Sequence, residues 1–317
     1  MRLIRDSLFV HPGGRGAVAA IGNFDGVHLG HISVIDRTRE IAAELDAPLG
    51  VLTFEPHPRE YFAPHAPPFR LMNATARAHR LEKLGVEKLY ELPFNKTLSR
   101  LSAQEFATQI ISQRLGLKHV VVGEDFRFGK GRDGDVAALR GFGKEMGFGV
   151  TIAPLLDLGQ TEVSSTAIRD ALSEGRPRDA AAMLGHWHRI EGEVIRGDQR
   201  GRDLGYPTAN MSIAGLHPPK FGVYVVLASV LSGPHQGLYH GAASIGIKPT
   251  FGENTPNCET VLFDFKGDLY GAPISVALVD YLRPEEKFAS LEALITQMDA
   301  DCAQAREILA ALPRHHV

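Results

Sequence analysis

The strongest constraint on what this chain can fold into is an alternation. Between Ala17 and Pro154, short apolar runs are separated by amphipathic stretches with helical spacing. AVAAIG (Ala17 to Gly22) leads into a helix predicted from about His28 to Leu45, and LGVLTF (Leu49 to Phe54) into one near Arg77 to Leu84. KLYELPF is followed by a helix opened by Ser102 with Glu105 three residues on, the spacing of a capping box. KHVVVG (Lys118 to Gly123), a helix from about Asp135 to Met146, and GVTIAP complete the series. Val- and Ile-rich strands separated by helices argue for an α/β fold, a parallel doubly wound sheet with ligands at the carboxyl ends of its strands.

The pattern changes after about residue 185. Two short predicted helices (Thr166 to Ser173, Asp179 to Leu184) lead into HWHRIEGEVIRG. From there FGVYVVLASV, GAASIGIKPTF, ETVLFDF and ISVALVDYL follow one another with Gly and Pro between them and no helical period. A small antiparallel β-barrel is the economical reading. The tail returns to helix, with Leu291, Leu294, Ile295, Met298, Cys302, Ala305, Leu309 and Leu312 forming a stripe that is expected to pack on the barrel. A chain of 317 residues is long for one core, so two domains are expected, 1–185 and 186–317, joined by a short helical linker.

Composition narrows the setting. With 34 basic and 37 acidic residues the net charge is −3, which gives no general attraction for nucleic acid or anionic membranes. Cys258 and Cys302 are too few for a disulfide framework or a cysteine zinc site and suit a reducing compartment. The N-terminal MRLIRDSLFV lacks a signal-peptide apolar region, and no window approaches the ~18 apolar residues of a spanning helix. A cytoplasmic protein is expected.

The loop after the first apolar run, GNFDGVHLGH, puts His28 and His31 three residues apart at a helix start, so both point the same way. Unpaired N–H groups and the helix dipole make such a turn an anion site. Alone, the spacing is equally compatible with a helix capped by Asp25 and two half-buried histidines. Gly22 and Gly26, which let backbone approach a ligand, tilt the reading toward phosphate. A second anion element is SSTAIR (Ser164 to Arg169), with hydroxyls at a helix start and an arginine one turn in. No Walker sequence occurs, and no G-x-G-x-x-G opens the first helix.

On these residues the first half resembles the nucleotidyltransferase superfamily, through His28-Leu29-Gly30-His31 and Ser164-Ser165-Thr166-Ala167-Ile168-Arg169. More narrowly, GNFDGVHLGH, TFEPHP (Thr53 to Pro58), VVVGEDFRFGKGRDGD (Val120 to Asp135) and SSTAIR are similar to the adenylyltransferase half of the bacterial bifunctional riboflavin kinase/FAD synthetase family. The resemblance implies a Rossmann-like domain in which FMN attacks the α-phosphorus of ATP and expels pyrophosphate. It also implies that His28 and His31 contact ATP phosphates while Gly22, Asn23, Phe24, Asp25 and Gly26 shape the nucleotide loop. Ser164, Ser165, Thr166 and Arg169 would hold the outgoing pyrophosphate, and Asp125, Phe126 and Arg127 would help form the adenosine or flavin pocket.

The second half carries RGDQRGRDLGYPTAN (Arg196 to Asn210), where Gly197, Gly201 and Gly205 alternate with Arg196, Arg200 and Arg202. That composition suits a loop closing over phosphates, or equally a polar hairpin connection. Thr208 and Asn210 alternate along a predicted strand and so share a face, where their hard oxygens can reach magnesium. Glu259 heads another strand, as surface decoration or as a general base for a hydroxyl. GRDLGYPTAN, SIGIKPTFG, ETVLFDFKGDLYG and YLRPEEKFASLEAL are similar, in order, to the riboflavin kinase domain, a six-stranded Greek-key barrel. The resemblance spans about residues 15 to 311 and implies that Thr208 and Asn210 bind Mg²⁺-ATP and that Glu259 activates the riboflavin 5′-hydroxyl. Gly197, Arg202, Gly205 and Pro207 belong to the loop covering the nucleotide.

The expected substrates are riboflavin, FMN and ATP with Mg²⁺. Flavins are substrate and product, so no tightly bound redox cofactor is needed. Neither nucleic acid nor membrane is an expected partner, and the oligomeric state is left open. Two rivals stand beside this reading. One is a transferase acting on another phosphorylated acceptor, which leaves Glu259 and the Thr-x-Asn pair without a task. The other is a non-catalytic RNA binder, against which the net charge and the lack of a basic stripe with interleaved aromatics both speak.

Overall fold

The computed structural model describes residues 1–5, 10–154, 163–197, 206–247 and 256–313. They divide into two compact units, Met1–Ala66 with Arg77–Val163, and Pro67–Ala76 with Ser164–Val317.

In the first unit six strands, β1 (Arg2–Ile4), β2 (Val18–Ile21), β3 (Leu49–Glu55), β4 (Lys88–Pro93), β5 (His119–Gly123) and β6 (Gly149–Ala153), form one sheet in the order β1-β4-β3-β2-β5-β6. Every pairing is parallel. β2 is buried along its whole length, as a central strand covered on both faces must be. The chain leaves β2 toward β3 on one side and reaches β5 on the other, so the loop after Ile21 sits where the strand order reverses.

The predicted helices arise where the spacing places them, with one short unpredicted α-helical turn besides. α1 (Leu29–Glu44) is capped by His28, and α2 (Pro58–Phe62) is a single turn capped by His57. α3 spans Ala74–Lys83. α4 (Ala103–Glu105) opens on both bonds of the Ser102/Glu105 capping box and continues as a π-helical stretch, Phe106–Arg114. α5 (Val136–Met146) is capped by Asp135 and stops at Gly147 in the left-handed conformation. Ala19, Ile21, Leu52 and Val120 pack with Phe106, Ile110 and Leu139 in the core.

The second unit is built on β7 (His188–Glu193), β8 (Thr208–Ser212), β9 (Gly222–Val230), β10 (Gly237–Ile247), β11 (Pro256–Leu262) and β12 (Pro273–Arg283). They form an antiparallel sheet in the order β7-β12-β9-β10-β11-β8. The sheet curls until Ile195, just past β7, bridges Asn210 of β8, with Ile195 N–H donating to the Asn210 carbonyl at 2.8 Å. α8 (Leu291–Ala310) covers the outside, its Ala305 and Leu309 packing with Val225, Leu227 and Val279, as the apolar stripe predicts.

The helical linker expected between the domains, α6 (Ser165–Ser173) and α7 (Pro177–Leu184), packs within this second unit. Lys220 N–H donates to the Leu172 carbonyl at 2.9 Å, and Arg178 pairs with Asp280 of β12 at 2.8 Å. The segment Pro67–Ala76 belongs there too, since Asn73 Nδ2 donates to the Glu191 carbonyl at 2.8 Å.

Candidate active sites

In the first unit the turn between β2 and α1 is held in a conformation that ordinary residues avoid. Phe24, Gly26 and Val27 have φ of 53°, 87° and 45°. Left-handed backbone is unfavourable for phenylalanine and more so for β-branched valine, so the surroundings must impose it. They do so partly by packing, for Phe24, Asp25 and Val27 are all buried. They do so also by gripping the Asn23 carbonyl, which accepts from Thr53 Oγ1 at 3.1 Å and from Arg77 Nη1 at 3.3 Å. Arg77 is fully buried, and its Nη2 donates to Glu91 at 3.0 Å and Glu55 at 2.9 Å. Sequence reasoning missed Arg77, because a lone arginine in an amphipathic helix carries no local signal of burial.

The cap of α1 is His28 itself, not Asp25. His28 Nδ1 accepts from His31 N–H at 3.3 Å, which leaves the proton of a neutral ring on Nε2. The two rings stack at 3.7 Å between centroids, and His31 also meets Phe24 at 5.1 Å. Burial first, and then the neighbouring His28, hold the His31 pKa well below its ordinary value, so the ring is neutral at pH 7. His31 Nδ1 is shielded from solvent and has no hydrogen-bond partner among the described residues. A buried unpaired ring nitrogen is costly unless a ligand supplies the partner.

Gly22 and Gly26 flank this turn, and the Val163 carbonyl lies 4.0 Å from where a Cβ on Gly30 would sit. At the carboxyl ends of β3 and β4 an aromatic group gathers: Phe94 meets Phe54, Tyr61 and Phe62 edge to face at 5.3 to 5.7 Å. Phe62 is 68% exposed. Beyond β5, Asp125 is exposed, Phe126 stacks on Phe128 at 5.4 Å, and Arg127 pairs with Asp135 at 3.3 Å.

Ser164, Ser165, Thr166 and Arg169 lie in the second unit. Ser164 caps α6, its hydroxyl accepting from Ala167 N–H at 3.2 Å, while Thr166 is exposed on the first turn. Arg169 Nε donates to the Phe69 carbonyl at 2.5 Å, and its guanidinium lies 5.4 Å from the centre of the Phe69 ring.

The barrel brings the predicted kinase residues into one row. Asn210 of β8 stands directly opposite Glu259 of β11, and Ser244 of β10 is opposite Glu259 on the other side. Opposed residues in an antiparallel sheet share a face, and so do residues two apart. Thr208, Asn210, Asn257, Glu259 and Ser244 therefore point to one side. Asn210 Nδ2 donates to Thr208 Oγ1 at 3.1 Å, and Asn257 Nδ2 to Glu259 Oε1 at 3.3 Å. Asn257 escaped the sequence reading, although its place two residues before Glu259 was a usable signal. Gly197 lies against the Asn210 amide, where a Cβ would come within 2.6 Å of Nδ2, so only glycine allows that approach. Pro207 is exposed beside Thr208, whereas Arg202 and Gly205 fall outside the described residues. Arg196, beside Gly197, lies over the Tyr270 ring at 5.4 Å, and Tyr270 lines an open cleft of about 360 Å³ with Val230, His235, Asp268 and Leu269.

Comparison with known proteins matches both halves of the chain. A family model for FAD synthetase matches residues 11–167, and one for riboflavin kinase matches residues 184–309. A bifunctional riboflavin kinase/FMN adenylyltransferase from Pseudomonas fluorescens is 42% identical over 98% of this chain and 98% of its own. The chain belongs to that bifunctional family. Relatives with the same description are 38% identical in Escherichia coli K12, over 92% of each chain, and 37% identical in Bacillus subtilis, over 91% of each. A solved structure described as a macrolide-efflux protein from Streptococcus pneumoniae is 30% identical with a TM-score of 0.82, covering 98% of this chain and 99% of that one. Among the described residues no helix is long and apolar enough to cross a membrane. The chain is a transferase with two activities. It phosphorylates riboflavin to FMN with ATP, and it adenylylates FMN to FAD with release of pyrophosphate.

Proposed function

We propose the following division of labour for these two reactions. Adenylylation belongs to residues 1–185 and riboflavin phosphorylation to 186–317, in a cytoplasmic enzyme that uses magnesium with ATP and has neither nucleic acid nor membrane as a partner. In the first half, the polyphosphate of ATP rests on the amino end of α1, where unpaired N–H groups and the dipole favour negative charge. His31 is neutral there, and its Nδ1 can donate to a phosphate oxygen in the tautomer that places the proton on it. The observation that carries this reading is the shielded, partnerless His31 Nδ1 inside a strained turn. His28 adds a donor as charge shifts to pyrophosphate, and Gly22, Asn23, Phe24, Asp25 and Gly26 keep the turn open to the nucleotide; the pyrophosphate role of Ser164, Ser165, Thr166 and Arg169 rests on the family resemblance of their motif. The exposed ring of Phe62, supported by Tyr61 and Phe94, offers a stacking surface for the FMN isoalloxazine, with Asp125 at the rim of the pocket.

In the barrel, Thr208 and Asn210 offer neutral hard oxygens one strand period apart, a donor set that fits magnesium arriving with ATP and keeping most of its waters. The metal would neutralise charge on the transferred phosphoryl group. Glu259, opposite Asn210, takes the proton of the riboflavin 5′-hydroxyl, and Asn257 steadies its carboxylate. Gly197 and Pro207 border the triphosphate, Arg202 and Gly205 keep the nucleotide role that the resemblance implies, and the Tyr270 cleft receives the nucleotide base.

The test uses full-length protein and separates the two steps by chromatography of riboflavin, FMN and FAD. Glu259→Gln is expected to lower FMN formation by about 10²- to 10⁴-fold while FMN supplied directly still becomes FAD. His28→Ala with His31→Ala is expected to do the reverse. Normal riboflavin phosphorylation in the first variant, or normal adenylylation in the second, sinks the corresponding assignment. Omitting magnesium is expected to stop FMN formation, and readdition to restore it.

A further inference from the structure

The terminal helix α8 does more than cover the barrel. It carries two carboxylates two positions apart, Asp299 and Asp301, which leave a helix about 200° apart around its axis. Each grips the root of a different segment bordering the kinase row.

Asp299 accepts a hydrogen bond from the Tyr206 hydroxyl. Tyr206 is separated from Thr208 only by Pro207, whose ring fixes its own φ, so a tether at Tyr206 is passed on to the first residue of β8 with little slack. On the opposite flank, the largely buried Asp301 accepts from Arg283 Nε at 3.0 Å and Nη2 at 2.7 Å, and from Gln297 Nε2 at 2.9 Å. Arg283 ends β12, and its remaining arm, Nη1, donates to the Pro284 carbonyl at 3.1 Å while the guanidinium lies 5.6 Å from the centre of the Phe288 ring. Two arms of that arginine are thus committed to α8 and the third to the turn that follows β12.

The turn carries Glu285, whose carboxylate lies on Gly246, where a Cβ would stand 2.1 Å from Oε1. Gly246 is opposite Asn257, on the face that holds Glu259. The Arg283–Asp301 clamp therefore sets the boundary of the row on the side of the base, and the Tyr206–Asp299 bond sets it on the side of Thr208.

We propose that α8 is the template of the kinase site: Asp299 positions Thr208 for ATP through Tyr206, and Asp301 positions the Glu285 turn beside Glu259 for riboflavin through Arg283. This rests on the assignment of Thr208 and Glu259 to riboflavin phosphorylation. The two tethers act on different substrates, and that gives the inference a signature which simple loss of stability does not have.

Steady-state kinetics of riboflavin phosphorylation and of FMN adenylylation are measured on full-length Tyr206→Phe, Asp301→Asn and Gly246→Ala, with Thr208→Ala alongside. Tyr206→Phe removes one hydroxyl and is expected to raise KM for ATP roughly three- to ten-fold, with KM for riboflavin unchanged. Asp301→Asn is expected to raise KM for riboflavin roughly ten-fold, with KM for ATP unchanged. Gly246→Ala displaces Glu285 without touching α8 and is expected to reproduce the Asp301→Asn pattern. Adenylylation is expected to remain at the parental rate in all three. Parental kinase constants in Tyr206→Phe and Asp301→Asn, or equal shifts of both KM values in each, overturn the proposal. Thr208→Ala separates this from failure of the underlying site: if that variant phosphorylates riboflavin normally, the assignment of the row is wrong, and if it is inactive while the tether variants are parental, only the template is wrong.

Discussion

Arg77→Met isolates the internal ion pair that shapes the turn between β2 and α1. The substitution keeps most of the length and apolar character of the side chain and deletes only the guanidinium. What it leaves behind decides the magnitude. Glu91, 2% exposed, loses the buried partner at 3.0 Å and among the described residues keeps only Arg5, which is 64% exposed and correspondingly weak. The Asn23 carbonyl loses the donor at 3.3 Å, and Glu55 loses its contact with Arg77 at 2.9 Å. Stranding a buried charge in this way costs about 3–5 kcal/mol, a large share of the 5–15 kcal/mol typical of a whole domain. At a urea slope of about 2 kcal/mol per molar, the midpoint of the first unit should fall by roughly 1.5–2.5 M.

The two activities provide separate reporters for the two units, so one titration serves: samples equilibrated in urea are diluted into each assay under conditions that block refolding. Loss of adenylylation is expected to move to lower urea and loss of riboflavin phosphorylation to stay where it is. Adding Glu91→Leu removes the stranded charge and should recover more than half of the shift. A single variant that moves the adenylylation midpoint by less than 0.5 M, or a double variant less stable than the single, would refute the claim that the pair is held together by burial.

Three further expectations concern other parts of the molecule. Burial, then His186 and His217, lower His188 to about 3, so the unfolded chain takes up the proton first as pH falls below about 6.5. The stability of the second unit from this group is complete above that pH and is lost on acidification, by about 2.7 kcal/mol at pH 4.5; urea titrations at both pH values check it, and His188→Phe should flatten the dependence. Phe62→Ala should raise KM for FMN in adenylylation roughly 5- to 150-fold, the range for losing one aromatic stacking partner, and leave KM for riboflavin unchanged; equal KM values for FMN would remove Phe62 from the flavin site. A fragment spanning 164–317 should melt well above one spanning 187–317, because the shorter piece lacks the buried Ile168, Leu172, Met183 and Leu184, each worth about 1.5–3 kcal/mol; calorimetry of both fragments decides, and equal melting temperatures would mean that α6 and α7 add nothing to that unit.

Much of the architecture was legible because it is written in local periods. β2 to β6 follow from short continuous apolar runs and α1, α3 and α5 from spacings of three to four between them, and the Ser102/Glu105 box was visible as two letters. What escaped depends on partners far away in sequence. β1 has only Ile4 buried and exists through pairing with β4, so nothing in RLI announces it. α6 and α7 read as a linker because their buried faces look alike whichever core they join. Their placement in the second unit rests on bonds such as that from Lys220 N–H to the Leu172 carbonyl at 2.9 Å, and that of Pro67–Ala76 on the one from His217 N–H to the Arg70 carbonyl at 2.8 Å.

The same division runs through the candidate sites and explains why their chemistry was easier to read than their support. Residues proposed to meet a ligand project from one short element, so spacing puts His28 and His31 on one helical turn and Thr208 and Asn210 on one strand face, although the histidine spacing needed the neighbouring glycines and a second motif to point to phosphate. Residues that hold those elements need only end up nearby in space, and their types are ordinary. Arg77 reaches partners 14 and 22 positions away, and Tyr206 is bonded to a residue 93 positions on. A carboxylate on a terminal helix or an arginine in a middle one is usually solvated, and composition gives no reason to think otherwise. The strained turn at Phe24 to Val27 draws such support from a distance. A segment that adopts φ of 53° at phenylalanine and 45° at valine has one internal bond, from Val27 N–H to the Phe24 carbonyl at 3.3 Å, and gains further donors from β3 and α3. Where a ligand loop contains residues unsuited to their backbone, its anchors are to be sought among buried charged side chains elsewhere in the same core.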